Sequence, residues 1–222
     1  MPSAALPIAL ALSIASQAAP TVAPDTLVTF AMAESRLQPL TIHDNATGQS
    51  YFPDTREEAT ALAAGLVNRG HSVDLGIMQV NSANLRRVDL QISDAFDPAK
   101  SFRAGGAILV DAYLQCHGDN ARTHQQLGEA LRCASSVYNT GNERAGLTNG
   151  YTASIVKVAA HVVPSIKELL PDFSGAAPNM PSTVSARLAT ESAEPKPASP
   201  PPPASGWDVF AQSGGTQFVY SK

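Results

Sequence analysis

The stretch "TLVTFAMAESRLQP", residues 26–39, carries a carboxylate where its own pattern asks for a hydrophobe. Leu27, Phe30 and Ala31 stand at i, i+3 and i+4, and Leu37 continues the stripe at i+10, so Glu34 at i+7 falls on the face that a helix would bury. An apolar setting and the negative end of a helix dipole both disfavour the ionised form, which is how a carboxyl becomes a proton donor near neutral pH. The plain alternative is a last turn exposed to solvent, or a partner that satisfies the charge. Two further segments bring amide and phenol groups able to hydrogen-bond a polar ligand. "GIMQVNS", residues 76–82, offers the amides of Gln79 and Asn81 with Met78 between apolar neighbours, and "SVYNTG", residues 136–141, offers the Tyr138 phenol and the Asn139 amide. Taken singly, Gly76 to Gln79 fits a core and Tyr138 to Gly141 fits a helix C-cap with Gly141 left-handed.

The elements that must hold these groups are mostly helical. Pro24 and Asp25 start the helix bearing Glu34, and Pro39 stops it. "LTIHDNATGQSYFP", residues 40–53, mixes β-branched and aromatic residues with turn signals and predicts a short hairpin or extended lobe. Thr55 and Glu58 form a capping box for the next helix, which Gly70 terminates, so Glu57 and Glu58 read as a solvated first turn. "HSVDLGIMQVNSANL" reads as a loop, with Gly76 where backbone approaches something closely. Pro98 opens a helix running to Cys116, in which Gly105 and Gly106 permit close packing; another helix covers about residues 123–137, and a last one is bent or broken by Pro164.

Composition bounds the function. A chain of 222 residues with 44% hydrophobic content is long enough for one buried core, and a net charge of −4 without a basic stripe argues against nucleic acid. Five scattered histidines and no HExxH spacing argue against a metal, and no cofactor motif is present. Cys116 and Cys133 permit one disulfide in an oxidising compartment, or two buried thiols in a reducing one. The apolar run of residues 4–15 is too short for a transmembrane span; small residues near a cleavage point suit a secretory signal but no Lys or Arg precedes the run, and a first helix of the domain ended by Ala19-Pro20 is the competing reading. After Pro171 proline, serine and alanine dominate; residues 171–222 read as a disordered linker ending in Trp207, Phe210, Phe218 and Tyr220, either a docking peptide or a flexible end with incidental aromatics.

The order "ESRLQP", "GIMQVNS", "SVYNTG" in a helical context resembles the lysozyme-like lytic transglycosylases of the soluble slt type, and within them the accessory transglycosylases of bacterial type IV secretion and conjugation systems. The likeness covers about residues 6–170 and extends to "APDTL", "HDNATG", "DLGIMQVNS" and the "NGY" after "YNTG". It implies a mainly α, lysozyme-like (α+β) domain over residues 1–170, in which residues 6–18 supply the helix that precedes "AP" and are not a secretory signal. It also implies a periplasmic setting, peptidoglycan glycan strands as substrate, and secretion subunits as partners of the tail.

By that resemblance Glu34 is the catalytic acid and then the base, and Ser35, Gly76, Met78, Gln79, Asn81, Tyr138, Asn139 and, more weakly, Tyr151 contact substrate or orient the site. Glycosidic cleavage commonly uses two carboxylates, whereas the family likeness supplies one. It therefore implies help from the muramic N-acetyl group and attack by the sugar's own 6-hydroxyl, giving a 1,6-anhydro product. Asp74 is the residue that could instead activate water and make a hydrolase; bracing the loop is its other reading. A non-catalytic protein that binds glycan and recruits secretion subunits is the alternative outside enzymes.

Overall fold

The computed structural model describes residues 4–117 and 124–169, so the expected tail, residues 171–222, lies outside the described residues. Helix α1, Ile8–Ala18, buries Ala11, Leu12 and Ala15. It is the domain helix expected of the N-terminal apolar run. Helix α2, Pro24–Ser35, begins with Pro24 at its first turn and Asp25 beside the positive end of its dipole. Residues 27–31 of α2 are all buried, so this helix is the central rod of the domain.

Four short antiparallel strands form the lobe beside it: β1, Ile42–Asp44; β2, Gln49–Tyr51; β3, Val73–Leu75; and β4, Val80–Asn81, in the order β2-β1-β3-β4. The β1–β2 hairpin is the one expected, with Ile42 opposite Tyr51 and Asp44 opposite Gln49. The stretch read as a loop is a second hairpin, with Asp74 opposite Asn81 and Leu75 opposite Val80, and β3 also pairs with β1. Residues 73–80 are buried without alternation, which removes the period-2 signal by which a half-exposed strand is recognised.

Helix α3, Arg56–Asn68, starts on the Thr55–Glu58 capping box, both halves of which are formed. Helix α4, Pro98–His117, packs closely at its two glycines. A Cβ on Gly105 would lie 2.6 Å from Met78 Cε, and one on Gly106 would lie 2.8 Å from Ala19 Cβ. Helix α5, His124–Thr140, is followed by the single turn α6, Ala145–Thr148, and by α7, Tyr151–Leu169. Pro164 lies inside α7 without ending it. Cys116 and Cys133 form a disulfide that ties the end of α4 to α5.

Asp44 anchors the first hairpin. It is fully buried, and its carboxylate accepts from Thr47 Oγ1 at 2.8 Å and from the Ala46 N–H at 3.0 Å, with His71 Nδ1 at 2.9 Å. Burial pushes its pKa up, but the bonds from His71, Thr47 and Ala46 together outweigh that and hold it below its ordinary value. A carboxyl depressed on folding stabilises fully above its unfolded pKa, and the contribution is lost as pH falls through the lower folded one. We therefore expect Asp44→Asn to be less stable than wild type near neutrality and the gap to close below about pH 4. Urea midpoints measured across that range read the convergence.

Candidate active site

Helix α2 ends at Ser35 and the chain then turns through two left-handed residues, Arg36 at φ 56° and Leu37 at φ 61°. The turn is fixed from both sides. The Arg36 N–H reaches Met32 O at 3.2 Å, the Leu37 N–H reaches Ala31 O at 3.3 Å, and the Leu37 side chain is buried. This leaves Glu34 half-buried on the last turn, so it is neither the fully buried stripe residue nor the exposed end that its spacing allowed. The Tyr151 hydroxyl donates to Glu34 Oε1.

Glu34 opens into a cleft of ≈ 500 Å³ between α2 and the lobe. Ser35, Arg36 and Gln38 line it on the helix side, and Thr41, His43, Ser50, Phe52, Asp74 and Gln79 line it on the lobe side. Polar groups for hydroxyls and acetamides are therefore gathered within reach of one carboxyl, together with one exposed aromatic ring. Phe52 is 51% exposed in this wall, enough to offer a face on which a sugar ring can stack. The sequence carried a faint signal for it, an aromatic one residue past a strand and followed by Pro53.

Ser35 joins the helix end to the second hairpin, its Oγ lying 2.8 Å from Ile77 O and 3.1 Å from Ala31 O. Gly76 has φ +73°, and its N–H donates to Thr41 O at 2.9 Å. A Cβ there would sit 1.9 Å from Ala95 O, so the close backbone approach expected at Gly76 is present. Gln79, itself left-handed at φ 47°, donates both amide protons, to Gly76 O at 2.8 Å and Thr41 O at 3.2 Å. Its amide oxygen is the part left for a ligand, which makes Gln79 an acceptor in the cleft it lines.

Three residues expected to contact substrate are buried beneath the cleft. Asn81 is fully buried and spends its amide protons on Asp74 Oδ1 at 2.8 Å and Ser72 Oγ at 2.9 Å. Met78 is fully buried against Gly105, so it packs under the cleft and does not line it. The Tyr138 hydroxyl donates to Met78 O at 2.8 Å, and its ring meets Phe30 edge-on with centroids 5.2 Å apart. Asp74 lines the cleft but is braced, with Asn81 on one oxygen and the Asn45 amide at 3.1 Å on the other.

The weaker expectation, Tyr151, is the residue whose phenol donates to Glu34, and the sequence between explains how it is placed. Asn139 Oδ1 accepts from Asn149 Nδ2 at 3.2 Å, and Asn149 Oδ1 accepts from the Tyr151 N–H at 2.9 Å, capping α7 at the residue that carries the phenol. Asn139 thus acts through Asn149 on Tyr151, and "YNTG" and "NGY" form one positioning relay. Gly141 is left-handed at φ 69° with its N–H on Val137 O at 2.7 Å, the C-cap its position suggested. Tyr151→Phe is expected to lower kcat by up to about tenfold by releasing the carboxyl, since one hydrogen bond is worth about 0.5–1.5 kcal/mol. Initial rates with saturating glycan, beside an unchanged melting temperature, measure it.

Among the described residues no cluster of three or more His, Cys, Asp or Glu side chains could hold a metal ion, and no helix is long and apolar enough to cross a membrane.

Comparison with known proteins agrees in extent with this architecture. The family model described as "Transglycosylase SLT domain" matches residues 11–155, from α1 into α7. "Protein virB1" of Agrobacterium fabrum (strain C58) is 36% identical over 154 residues, covering 69% of this chain and 61% of that protein. "Protein virB1" of Rhizobium radiobacter is 36% identical over 155 residues, covering 70% and 63%. "Type IV secretion system protein virB1" of Brucella abortus biovar 1 is 34% identical over 176 residues, covering 74% and 72%. The chain thus spans less than two thirds of the length of the Agrobacterium and Rhizobium relatives. No solved structure matches significantly.

Proposed function

Because the chain belongs to the Transglycosylase SLT domain family, we propose that it is a lytic transglycosylase whose substrate is the MurNAc–GlcNAc β-1,4 bond of peptidoglycan. The observation that carries this reading is the half-buried Glu34 on a helix end, hydrogen-bonded by Tyr151 and open to a polar cleft. Glu34 protonates the glycosidic oxygen as the bond to the anomeric carbon breaks. The muramic N-acetyl oxygen stabilises the cationic ring, as in substrate-assisted glycosidases. Glu34, now a carboxylate, then takes the proton from the muramic 6-hydroxyl as that oxygen attacks C1. The products are a 1,6-anhydro-MurNAc end and a free GlcNAc 4-hydroxyl, with no water consumed.

In this scheme Gln79 accepts from a sugar N–H or O–H, Phe52 supports a ring further along the strand, and Ser35, Gly76, Asn81, Tyr138 and Asn139 hold the walls in place. The setting is the periplasm, where local opening of the wall makes room for a type IV secretion or conjugation apparatus. Relatives named as type IV secretion proteins support that setting. The disulfide supports an oxidising compartment. The tail, residues 171–222, is the segment proposed to dock on secretion subunits.

The presence of Asp74 in the cleft favours one second reading, a lysozyme-type hydrolase in which it activates water. Against that, both its oxygens already hold asparagine amides. Digestion of purified sacculi with mass spectrometry of the soluble products separates the two. Anhydro-muropeptides are the expected product, and ordinary reducing ends without them would replace the transglycosylase by the hydrolase.

A further inference from the structure

Arg36 occupies a place where a long cation is not the structural choice. It caps α2 in the left-handed region, φ 56° and ψ 37°, which favours glycine or asparagine. Its side chain is exposed, it lines the same cleft as Glu34, and among the described residues its guanidinium has no hydrogen-bond or ion-pair partner. Arg56, Arg87 and Lys100 are paired with surface carboxylates, whereas among the described residues Arg69, Arg103, Arg144 and Lys157 are as unpartnered as Arg36; what sets Arg36 apart is that it alone of these cations lines the cleft with Glu34. Burial of Leu37 accounts for the turn, because the next residue must drop into the core. It does not account for an arginine at the apex.

A cation held two residues from the acid, with nothing inside the fold to neutralise it, calls for an anion on the ligand. The sugar backbone of the proposed substrate is neutral, so the anion is borne by a substituent. The muramic ring, whose C1 and O6 react at Glu34, also carries the lactyl arm at O3, and the peptide stem attached there bears free carboxylates. We infer that Arg36 binds a carboxylate of the peptide stem on the muramic residue being cleaved, and so makes the enzyme select stem-bearing strands over naked glycan. The planar fork of a guanidinium fits a carboxylate bidentately, and a pair at an open cleft is weakened by salt. This inference rests on the transglycosylase reading. A naked strand keeps one anion of its own, the lactyl carboxylate, and the test separates that source from the stem.

The experiment measures kcat/KM of the full chain on two soluble substrates: uncrosslinked glycan strands with intact stems, and the same strands after amidase has removed the stems. Arg36→Gln should lose about five- to tenfold on stem-bearing strands and little on stripped ones, and Arg36→Lys should recover part of the loss. Raising NaCl should erode the wild-type preference and leave Arg36→Gln unmoved. Arg36→Gly, whose backbone is at ease in this conformation, should melt no lower than wild type yet show the same loss of preference, which separates recognition from folding. A loss confined to stripped strands, whose lactyl carboxyl amidase frees from its amide, would assign Arg36 to the lactyl carboxylate and overturn the stem. Equal losses on both, or no loss on either, would overturn the contact itself. Wild-type protein that releases anhydro ends from neither substrate would instead sink the underlying reaction.

Discussion

Glu34→Gln is expected to abolish release of anhydro-muropeptides from sacculi, with kcat at least about 10³-fold down, because one group performs both proton transfers and each is worth about 10²–10⁴-fold. The substitution is nearly isosteric and Glu34 is only half-buried, so the amide keeps a contact with the Tyr151 hydroxyl and the melting temperature should move little. Paired measurement of product by mass spectrometry and of melting by circular dichroism separates a dead enzyme from an unfolded one. A Gln variant that retained more than about a tenth of the wild-type rate would remove Glu34 from the chemistry. The same variant tests a purely recruiting role. If cell-wall passage of the secretion apparatus survives Glu34→Gln but not deletion of residues 171–222, docking matters and cleavage does not.

Gly76→Ala should be the most damaging of the glycine-to-alanine substitutions for the fold. The new Cβ would lie 1.9 Å from Ala95 O and 2.9 Å from Ala95 C, and backbone on both sides cannot yield as a flexible side chain would. Gly76 also has φ +73°, so the alanine pays for left-handed strain in addition. Overpacking costs about 1–3 kcal/mol and the left-handed conformation about 1–2 kcal/mol, for a total of about 2–5 kcal/mol. That is a large share of the about 5–15 kcal/mol by which domains are stable. The damage reaches catalysis as well, since the Gly76 carbonyl receives the Gln79 side chain and the Gly76 N–H joins Thr41. Urea denaturation should show a lower midpoint with an unchanged slope. A midpoint within about 0.5 kcal/mol of wild type would mean that the Ala95 segment moves aside.

Much of this site could be read from the sequence, for reasons tied to local chemistry. Pro24, the Thr55–Glu58 box, Gly141 and Pro98 mark element ends by rules that act over a few residues, and all four stand at such ends. Glu34 stood out because one polar residue broke a helical stripe. What the sequence withheld depends on partners far along the chain. Asn81 and Gln79 are both amides in one motif, yet one is wholly committed to Asp74 and Ser72 while the other keeps an oxygen for the cleft. Residue type alone does not say which way an amide faces. Tyr138 and Tyr151 are equivalent as phenols, and only the meeting of α2 with α7 gives the Glu34 bond to Tyr151. The second hairpin looked like loop because its strands are buried on both faces and only two or three residues long.

The Glu34–Tyr151 bond joins residues 117 apart in the chain. Contacts of such span form late, because the entropy of closing a long loop must be met before they return anything. The helix bearing the acid can fold early, but its phenol arrives only when the last described helix docks on it. A partly folded or truncated chain therefore holds the carboxyl without its partner, and under the proposed reaction cleavage would wait for completion of the whole helical domain.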